Sequence, residues 1–242
     1  MKQLSLAAFY GEKERAFAEL VDHCRSVVAE SPLGETFAPY RTAQVHATIT
    51  GMESLPGEPA CNRNVWSKRG VKARMEFSRL AEVLGRRLPM SIRVGGFDPG
   101  DCRFKSQGRV PYERSFQVHA ATGKVTLVGW PHMEGDFGPR LLERLRGDLA
   151  ESCNIEHKYD GDNDLYLVLG TVEPDAVAGN APAVEATVRD HLMRHAFEFR
   201  LKPADLFVVR YEDETLDPAS TTAYVATDSD LTPGYLEALY DS

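Results

Sequence analysis

The segment Thr42–Thr50, TAQVHATIT, alternates between apolar and polar side chains. Successive residues of a β-strand point to opposite faces, so the alternation predicts a strand with one buried face. The apolar residues that would face the core are Val45, Ala47 and Ile49. The opposite face carries His46 and Thr48, whose Cα atoms would lie about 7 Å apart along the strand. An imidazole and a hydroxyl in this arrangement suit acid–base chemistry next to a bound anion.

The composition of the chain is typical of a globular protein with an acidic surface. Its 242 residues include 28 Lys and Arg against 36 Asp and Glu, giving a formal net charge of −8, and 43% of them are hydrophobic. Proteins that coat duplex DNA gain affinity by neutralising phosphates with basic residues, so the net charge argues against that class. A small basic site for one or two phosphates is compatible with this composition.

Targeting and redox signals favour a cytoplasmic protein. The first apolar run, Met1–Phe9, is too short for a signal peptide, and charged residues follow it at 12–14. No apolar segment has membrane-spanning length, so no membrane partner is expected. The cysteines are Cys24, Cys61, Cys102 and Cys153. Since none of them forms a C-x-x-C pair, we expect reduced thiols and no bound metal.

Hydrophobic periodicity and turn residues predict a chain in which helices and strands alternate. Strands are predicted at 4–10, 42–50, 90–97, 115–120, 124–130, 164–172, 206–211 and 223–227. Helices are predicted at 12–30, 71–87, 139–152 and 183–199. Residues 51–70 are predicted to form a long irregular loop, and the acidic tail after about residue 228 is expected to be peripheral. Hairpins among alternating elements favour the α+β class, with mixed or antiparallel sheets in one domain spanning residues 1–242.

The order of elements repeats roughly between the two parts of the chain. Helix 12–30 leads to the strand that carries His46, and helix 139–152 leads to the strand that carries Tyr166. A bilobal α+β protein with one His-x-Thr strand in each lobe is the pattern of the 2H phosphoesterase superfamily and its LigT-like fold. The chain resembles that family over most of its length, and Val45–Ile49 is similar to the first His-x-Thr strand.

The resemblance implies two pseudo-symmetric lobes whose sheets flank a central cleft. It also implies chemistry without a metal or another cofactor. In the family one His accepts a proton from a water or hydroxyl, the other protonates the leaving oxygen, and two Thr hydroxyls hold the phosphoryl oxygens. The substrates are cyclic phosphates or 2′-linked nucleotides. We therefore expect His46 to be the general base and Thr48 to bind the phosphoryl group.

The second motif departs from the family pattern. Aligning Leu167–Gly170 with the end of the second motif strand puts Tyr166 at the position of the second His and Val168 at that of the second Thr. The alternation of side chains along the strand agrees with this alignment, because the leucines between these positions would face the core. Tyr has an unperturbed pKa of about 10, so Tyr166 can donate a hydrogen bond but transfers a proton less readily than His. Val168 can donate nothing.

Further candidates for substrate contact each have a structural alternative. Arg93, on the polar face of its predicted strand, could reach a phosphate or could be a surface residue. Trp66, in the predicted loop, could stack on a base or could lie half-buried under that loop. His119 and His157 could assist Tyr166, although a solvent-exposed position is favoured for both. Tyr166 itself could be a ligand contact or a packing aromatic.

Three hypotheses remain open. The favoured one is a 2H phosphoesterase-like hydrolase or binder of a small phosphodiester, such as a 2′,3′-cyclic or 2′-linked nucleotide or the end of an RNA. The loss of the second His and Thr also allows a catalytically impaired descendant that binds a nucleotide, another anion or a protein. The third hypothesis is an unrelated α+β protein in which the His-x-Thr match is accidental and His46 is a satisfied core residue.

Overall fold

The computed structural model describes residues 2–134 and 136–240, which form an α+β protein. The strands are β1 (Gln3–Ala8), β2 (Ala38–Pro39), β3 (Ala47–Gly51), β4 (Ser54–Leu55), β5 (Glu58–Asn62), β6 (Met90–Val94), β7 (Phe116–Val118), β8 (Lys124–Met133), β9 (Asp136–Phe137), β10 (Leu165–Thr171), β11 (Phe197–Leu201), β12 (Leu206–Tyr211) and β13 (Thr222–Val225). The helices are α1 (Arg15–Ala29), α2 (Arg63–Arg69), α3 (Leu80–Arg87), α4 (Pro111–Ser115), α5 (Leu141–Cys153), α6 (Pro174–Val177), α7 (Ala181–Arg194) and α8 (Pro233–Ala238). Short 3₁₀ turns cover Gly34–Thr36, Thr42–Gln44, Phe77–Arg79 and Pro203–Asp205.

A large antiparallel sheet forms the frame of the fold. Its main path runs β11-β6-β8-β10-β3-β1-β12-β13, with β2 paired to β10 and with β7 and β9 paired to β8. Strands β4 and β5 form a separate hairpin. Every strand pairing within the described residues is antiparallel, so the predicted α+β class with antiparallel sheets is confirmed.

One face of the sheet and the surrounding helices enclose the main core. Helix α1 contributes residues at helical spacing: Phe17, Leu20, Val21, Cys24 and Val28. The central strands contribute every second residue: Leu4, Leu6, Ala8, Ala47, Ile49, Leu165, Leu167 and Leu169. Burying each large apolar side chain contributes about 1.5–3 kcal/mol, so this face orients the sheet and leaves the intervening residues on the other side.

The junction between β3 and β10, in the middle of the sheet, is thinly paired. Four strands of the main path lie on either side of this junction. In the described residues, Leu167 and Ala47 form the single register pair that joins the two strands. The guanidinium of Arg146, on α5, bridges them further along. Its Nε donates to the carbonyl oxygen of Ile49 at 2.8 Å, and its Nη2 donates to that of Asp164 at 3.1 Å.

The prediction of a loop at 51–70 is wrong, because this segment contains the β4–β5 hairpin and helix α2. The side chain of Asn62 caps α2 by accepting from the backbone N–H groups of Asn64 and Val65, both at 3.1 Å. Gly70 follows the helix with a φ of 68°. An Asn N-cap and a C-terminal Gly are signals of a helix, but the additional Gly and Pro residues of the segment favour a loop.

The helix predicted at 183–199 is too long. Helix α7 ends at Arg194, and β11 follows it. Phe199 fits the stripe of a longer helix, but its ring centroid lies 5.0 Å from that of Phe9, which follows β1 near the start of the sequence. Similarly, α3 covers only the second half of the helix predicted at 71–87. None of the helices in the described residues is long and apolar enough to cross a membrane.

The prediction that the tail after residue 228 is peripheral is also wrong. Helix α8 brings Leu236, Leu239 and Tyr240 into the main core. The hydroxyl of Tyr240 donates to the carbonyl oxygen of Met52 at 2.6 Å. The acidic residues before α8 therefore lie in a connection that returns the chain to its core.

Candidate functional site

The His-x-Thr segment enters the sheet later than its alternation predicts. Strand β3 begins at Ala47, and Thr42–Gln44 form a 3₁₀ turn instead of the first strand residues. Gln44 is buried in that turn, where its Nε2 donates to the carbonyl oxygen of Thr215 at 2.8 Å. Since Val45 still lies in the core, the parity of the segment is preserved and His46 lies immediately before the strand.

His46 is half-buried, and its hydrogen bond fixes the tautomer. Its Nδ1 lies 2.7 Å from the carbonyl oxygen of Gln44. A carbonyl oxygen can only accept, so Nδ1 carries the proton and Nε2 keeps a lone pair. Burial, with a smaller contribution from the charge of Lys13, lowers the pKa of His46 to about 4. At pH 7 His46 is therefore a neutral imidazole whose Nε2 can accept a proton.

The loop between β1 and α1 packs against the His46 segment. The ring centroid of Tyr10 lies 6.1 Å from that of His46. The Nζ of Lys13 donates to the carbonyl oxygen of Gly11 at 2.7 Å. Burial, followed by the charge of Arg25, lowers the pKa of Lys13 to about 7. Lys13 therefore gains or loses its charge near neutral pH.

The pairing of β3 with β10 aligns the two strands that the resemblance assigns to the site. Ala47 is opposite Leu167, and both are buried in the main core. By the antiparallel register, Thr48 is then opposite Tyr166, and both project to the other face of the sheet. His46 precedes Thr48 by two residues on that face. Thr48 is exposed there, whereas His46 and Tyr166 are half-buried.

The β7–β8 hairpin brings His119 to Tyr166. The Nε2 of His119 lies 3.1 Å from the phenolic oxygen of Tyr166 and 3.1 Å from Oγ1 of Thr126. The prediction that His119 faces solvent is therefore wrong, because its imidazole is half-buried and hydrogen-bonded. A local signal existed, since Gln117 and His119 alternate with the buried Val118. The docking of this hairpin beside β10 is a long-range pairing that the local pattern does not encode.

Three cationic side chains lie near the Tyr166–His119 pair, and one of them, Arg114, is paired with the carboxylate of Asp164. Burial lowers the pKa of His119, and the charges of Arg114, Arg109 and Lys124 lower it further. Burial raises the pKa of Tyr166, so that its phenol stays protonated at neutral pH. A protonated phenol in a positive setting favours an anionic ligand.

A buried network holds the start of β10 next to the hairpin. The carboxylate of Asp164 accepts hydrogen bonds from Ser106 Oγ, Trp130 Nε1 and Arg114 Nη2, each at 2.7 Å. Arg114 also donates to the side chain of Gln117. All five residues are buried, so one carboxylate positions the loop before α4, the hairpin and the strand that carries Tyr166.

The other two residues predicted to contact substrate lie off the two central strands, although the register of β6, β8 and β10 puts Arg93 on the same sheet face as Tyr166. Arg93 is on β6, opposite Trp130 in register and two strands away from β10. Its Nε lies 3.8 Å from Oε1 of Glu198. Trp66 lies on α2 rather than in a loop, and 44% of its surface is exposed. Neither of the two lies on the strands that bring Thr48, Tyr166 and His119 together.

His157 has a structural place in the fold. It is buried, and its Nε2 lies 3.0 Å from Oδ2 of Asp162, which also pairs with Nη1 of Arg146 at 3.2 Å. The predicted surface position for His157 is therefore wrong. Its imidazole supports the carboxylate that holds Arg146 at the β3–β10 junction.

Of two cavities, one of about 90 Å³ borders the loop that packs against the His46 segment, and it is lined by Lys13 and by several phenylalanines, including Phe9 and Phe199. The other, of about 400 Å³, lies beside β13 and is lined by Tyr224 and Tyr235. The His46–Tyr166 face is an open surface, as the exposure of Thr48 indicates.

Comparison of the chain with protein-family models and with curated proteins gives no match. Within residues 2–134 and 136–240, no group of three or more His, Cys, Asp or Glu residues is placed to hold a metal ion. Function is therefore inferred from the geometry of the site.

Proposed function

We propose that this chain is a 2H phosphoesterase-like protein that hydrolyses or binds a small phosphodiester, such as a 2′,3′-cyclic or 2′-linked nucleotide or the end of an RNA. The observation that carries the proposal is the register of the two central strands. Because Leu167 is opposite Ala47, the exposed hydroxyl of Thr48 and the phenol of Tyr166 share one face of the sheet. His46 lies on the same side, so one ligand can meet a base, a hydroxyl and a phenol.

A bilobal, LigT-like arrangement is part of this proposal. Four strands of the main path lie on each side of the β3–β10 junction. Helix α1 precedes β3 in one half, and helix α5 precedes β10 in the other. In each half the central strand has an antiparallel neighbour, which is β1 for β3 and β8 for β10. This pseudo-symmetry supports two lobes that meet along the line where the site lies.

In the proposed reaction His46 is the general base. Its neutral Nε2 takes a proton from the water that attacks phosphorus, and the bond between phosphorus and the leaving oxygen breaks. The hydroxyl of Thr48 donates a hydrogen bond to one phosphoryl oxygen, and the phenol of Tyr166 donates to the leaving oxygen, which takes up a proton as it departs. The cationic side chains around His119 stabilise the negative charge that develops.

The first test is the substitution His46→Ala. We expect it to lower kcat/KM for hydrolysis of a 2′,3′-cyclic nucleotide by about 10²–10⁴-fold, because the reaction loses its general base. Product formation by purified protein is followed by chromatography. The control is His195→Ala, which removes an exposed imidazole that follows α7. Turnover that survives His46→Ala unchanged would reject the role assigned to His46.

A second candidate function is binding without turnover. Val168 provides no hydroxyl where the family has Thr, and a base with a pKa of about 4 accepts a proton from water only weakly. Calorimetric binding of a nucleotide without hydrolysis would favour this function. Efficient hydrolysis of a cyclic nucleotide would exclude it.

A further inference from the structure

The strand that should carry a second imidazole does not have one, but a neighbouring hairpin brings an imidazole to the same place. We propose that His119 is the second imidazole of the site, where its positive charge favours a phosphoryl anion at the phenol of Tyr166 and where it supplies, through that phenol, the proton for the leaving oxygen. The catalytic part of this assignment rests on the proposed function. The anion-binding part can be tested without any turnover.

The contacts of His119 are those of a proton donor held in place. Its Nε2 is within 3.1 Å of both Tyr166 Oη and Thr126 Oγ1. The ring centroids of His119 and Tyr166 are 6.0 Å apart. Thr126 uses its own proton on the carbonyl oxygen of Gln117, at 3.3 Å, so its oxygen accepts from His119. A protonated Nε2 can therefore donate to both oxygens, which leaves the phenolic proton of Tyr166 free to point to a ligand.

The backbone that carries His119 is fixed on both sides. Its N–H donates to the carbonyl oxygen of Lys124 at 2.9 Å, which closes the hairpin. Gly123, with a φ of 65°, accepts a hydrogen bond from the N–H of Val172 just after β10, at 2.9 Å. The turn is thus attached to the end of the strand that carries Tyr166. A site built on such elements keeps its geometry better than one built on a free loop.

The charges near His119 suit an anion. Charged or titratable groups face it from each neighbouring element: Tyr166 of β10, Lys124 of β8, Arg109 of the preceding loop, and Arg114 of α4 with its ion-pair partner Asp164. On the α7 side, Glu185 accepts a hydrogen bond from the N–H of Val118 at 2.8 Å. The cations oppose protonation of the imidazole in the empty site. A bound anion offsets them, so protonation of His119 and anion binding favour each other.

These groups account for every proton that moves in the reaction. Water attacks phosphorus and gives a proton to Nε2 of His46 while the bond to the leaving oxygen breaks. The leaving oxygen takes the phenolic proton of Tyr166, and the phenol takes the Nε2 proton of His119. His46 ends charged and His119 ends neutral, so both return to their starting states by exchanging one proton each with solvent.

This scheme sets the sign of the pH dependence. His46 must be neutral, which holds above its pKa of about 4. His119 must be charged, and burial with neighbouring cations lowers the pKa of His119 below the ordinary value. Activity should therefore be highest between the pKa of His46, about 4, and the lowered pKa of His119, and both activity and anion binding should fall as the pH rises through that lowered pKa.

The probe for the test is inorganic sulfate, which stays a dianion across the range used, so any pH dependence comes from the protein. Sulfate affinity is measured by calorimetry at pH 5.5 and pH 8 for the wild type, His119→Gln and the control His195→Gln. We expect the wild type and the control to bind at least about tenfold more tightly at pH 5.5, because His119 then adds a positive charge next to the anion. His119→Gln should lose this difference, while its amide can still bond Tyr166 and Thr126.

The outcomes separate the assignment from the proposed function. A pH difference that survives His119→Gln, with far-ultraviolet circular dichroism showing a folded variant, would overturn the assignment and transfer the difference to Lys13, whose pKa is about 7. Hydrolysis that depends on His46 but is unchanged in rate and pH profile by His119→Gln would also overturn it and leave the proposed function standing. Sulfate binding that depends on His119 without any hydrolysis would support His119 as the anion-binding imidazole and reject the hydrolytic function.

Discussion

Asp164 is the single residue on which most of the polar support for the site depends. Its carboxylate is 4% exposed and accepts from three buried side chains. One of them, Arg114, is a 3% exposed cation that pairs with it at 2.7 Å. Removing one partner of a buried ion pair is costly, because the other charge is left without compensation in a region that excludes water.

The substitution Asp164→Asn is therefore expected to lower the free energy of unfolding by about 3–5 kcal/mol. The matched control is Asp148→Asn, which breaks a partly exposed pair with Arg87 and should cost about 1 kcal/mol or less. Urea denaturation followed by tryptophan fluorescence measures both values. Equal small losses in the two variants would show that the Asp164 network contributes little to stability.

For single residues, the sequence predicts which side chains share a face of a strand but not which side chains contact each other. The alternation around His46 and around Tyr166 follows from the pleat, so each residue's face is a local property of the chain. The contact of His119 with Tyr166 depends on pairing between a hairpin and a strand far apart in sequence. The contacts of Asp164 with Ser106 and Trp130 are equally non-local.

The β7–β8 hairpin is the element that brings His119 to Tyr166. Its turn glycine, Gly123, combines a φ of 65° with close contact to another strand end. A Cβ atom added at this glycine would lie 1.9 Å from the carbonyl oxygen of Val172. Gly57, in the β4–β5 turn, has a similar φ of 76° but no heavy atom within 4 Å of a Cβ added there.

Comparing Gly123→Ala with Gly57→Ala separates the cost of backbone strain from the cost of losing the contact between the hairpin turn and Val172, just after β10. Both variants place an L-residue at positive φ, which costs about 1–2 kcal/mol. Gly123→Ala should cost more, since the hairpin must also move away from Val172 and lose that hydrogen bond. Thermal denaturation should show a lower Tm for Gly123→Ala than for Gly57→Ala. Equal Tm values would mean that the contact of the turn with β10 adds no stability.

Elements with one strong period are predictable from this sequence, and mixed segments are not. Helix α1 and the adjacent strands β7 and β8 follow local patterns, and each overlaps the range predicted for it. The segment that forms β11 continues an apolar stripe from α7, so its periodicity fits a helix as well. Its strand state is decided by pairing with β6, which lies far away in the chain.

At the scale of the whole molecule, Arg146 is the main polar bridge at the thinly paired centre of the sheet. Its guanidinium donates to backbone carbonyls on both sides of the junction, at Thr48 and Ile49 on one and at Asp162 and Asp164 on the other. Burial lowers the pKa of Arg146, and the nearby carboxylates counteract this effect. A lysine has one ammonium group and cannot reproduce this fork of donors.

The substitution Arg146→Lys should therefore loosen the junction before it affects the outer strands. Hydrogen exchange measured by mass spectrometry is expected to accelerate in peptides from β3 and β10 and to change little in β12. Arg210→Lys is the control, because Arg210 on β12 also donates to a carbonyl, that of Leu239 at 2.9 Å. Uniform acceleration throughout the sheet would indicate general destabilisation instead.

The position of β1 between β3 and β12 has a consequence for how this protein is made in the cell. Gln3 pairs with Tyr211, so one edge of β1 has no strand to bind until most of the chain has left the ribosome. At ordinary rates of translation that interval is roughly 10–40 s. During this time one edge of the apolar strand β1 is unpaired in the nascent chain. Unpaired strand edges favour aggregation and chaperone binding. Truncated chains that end before β12 should accumulate as insoluble material, whereas chains that reach Tyr211 can close the sheet.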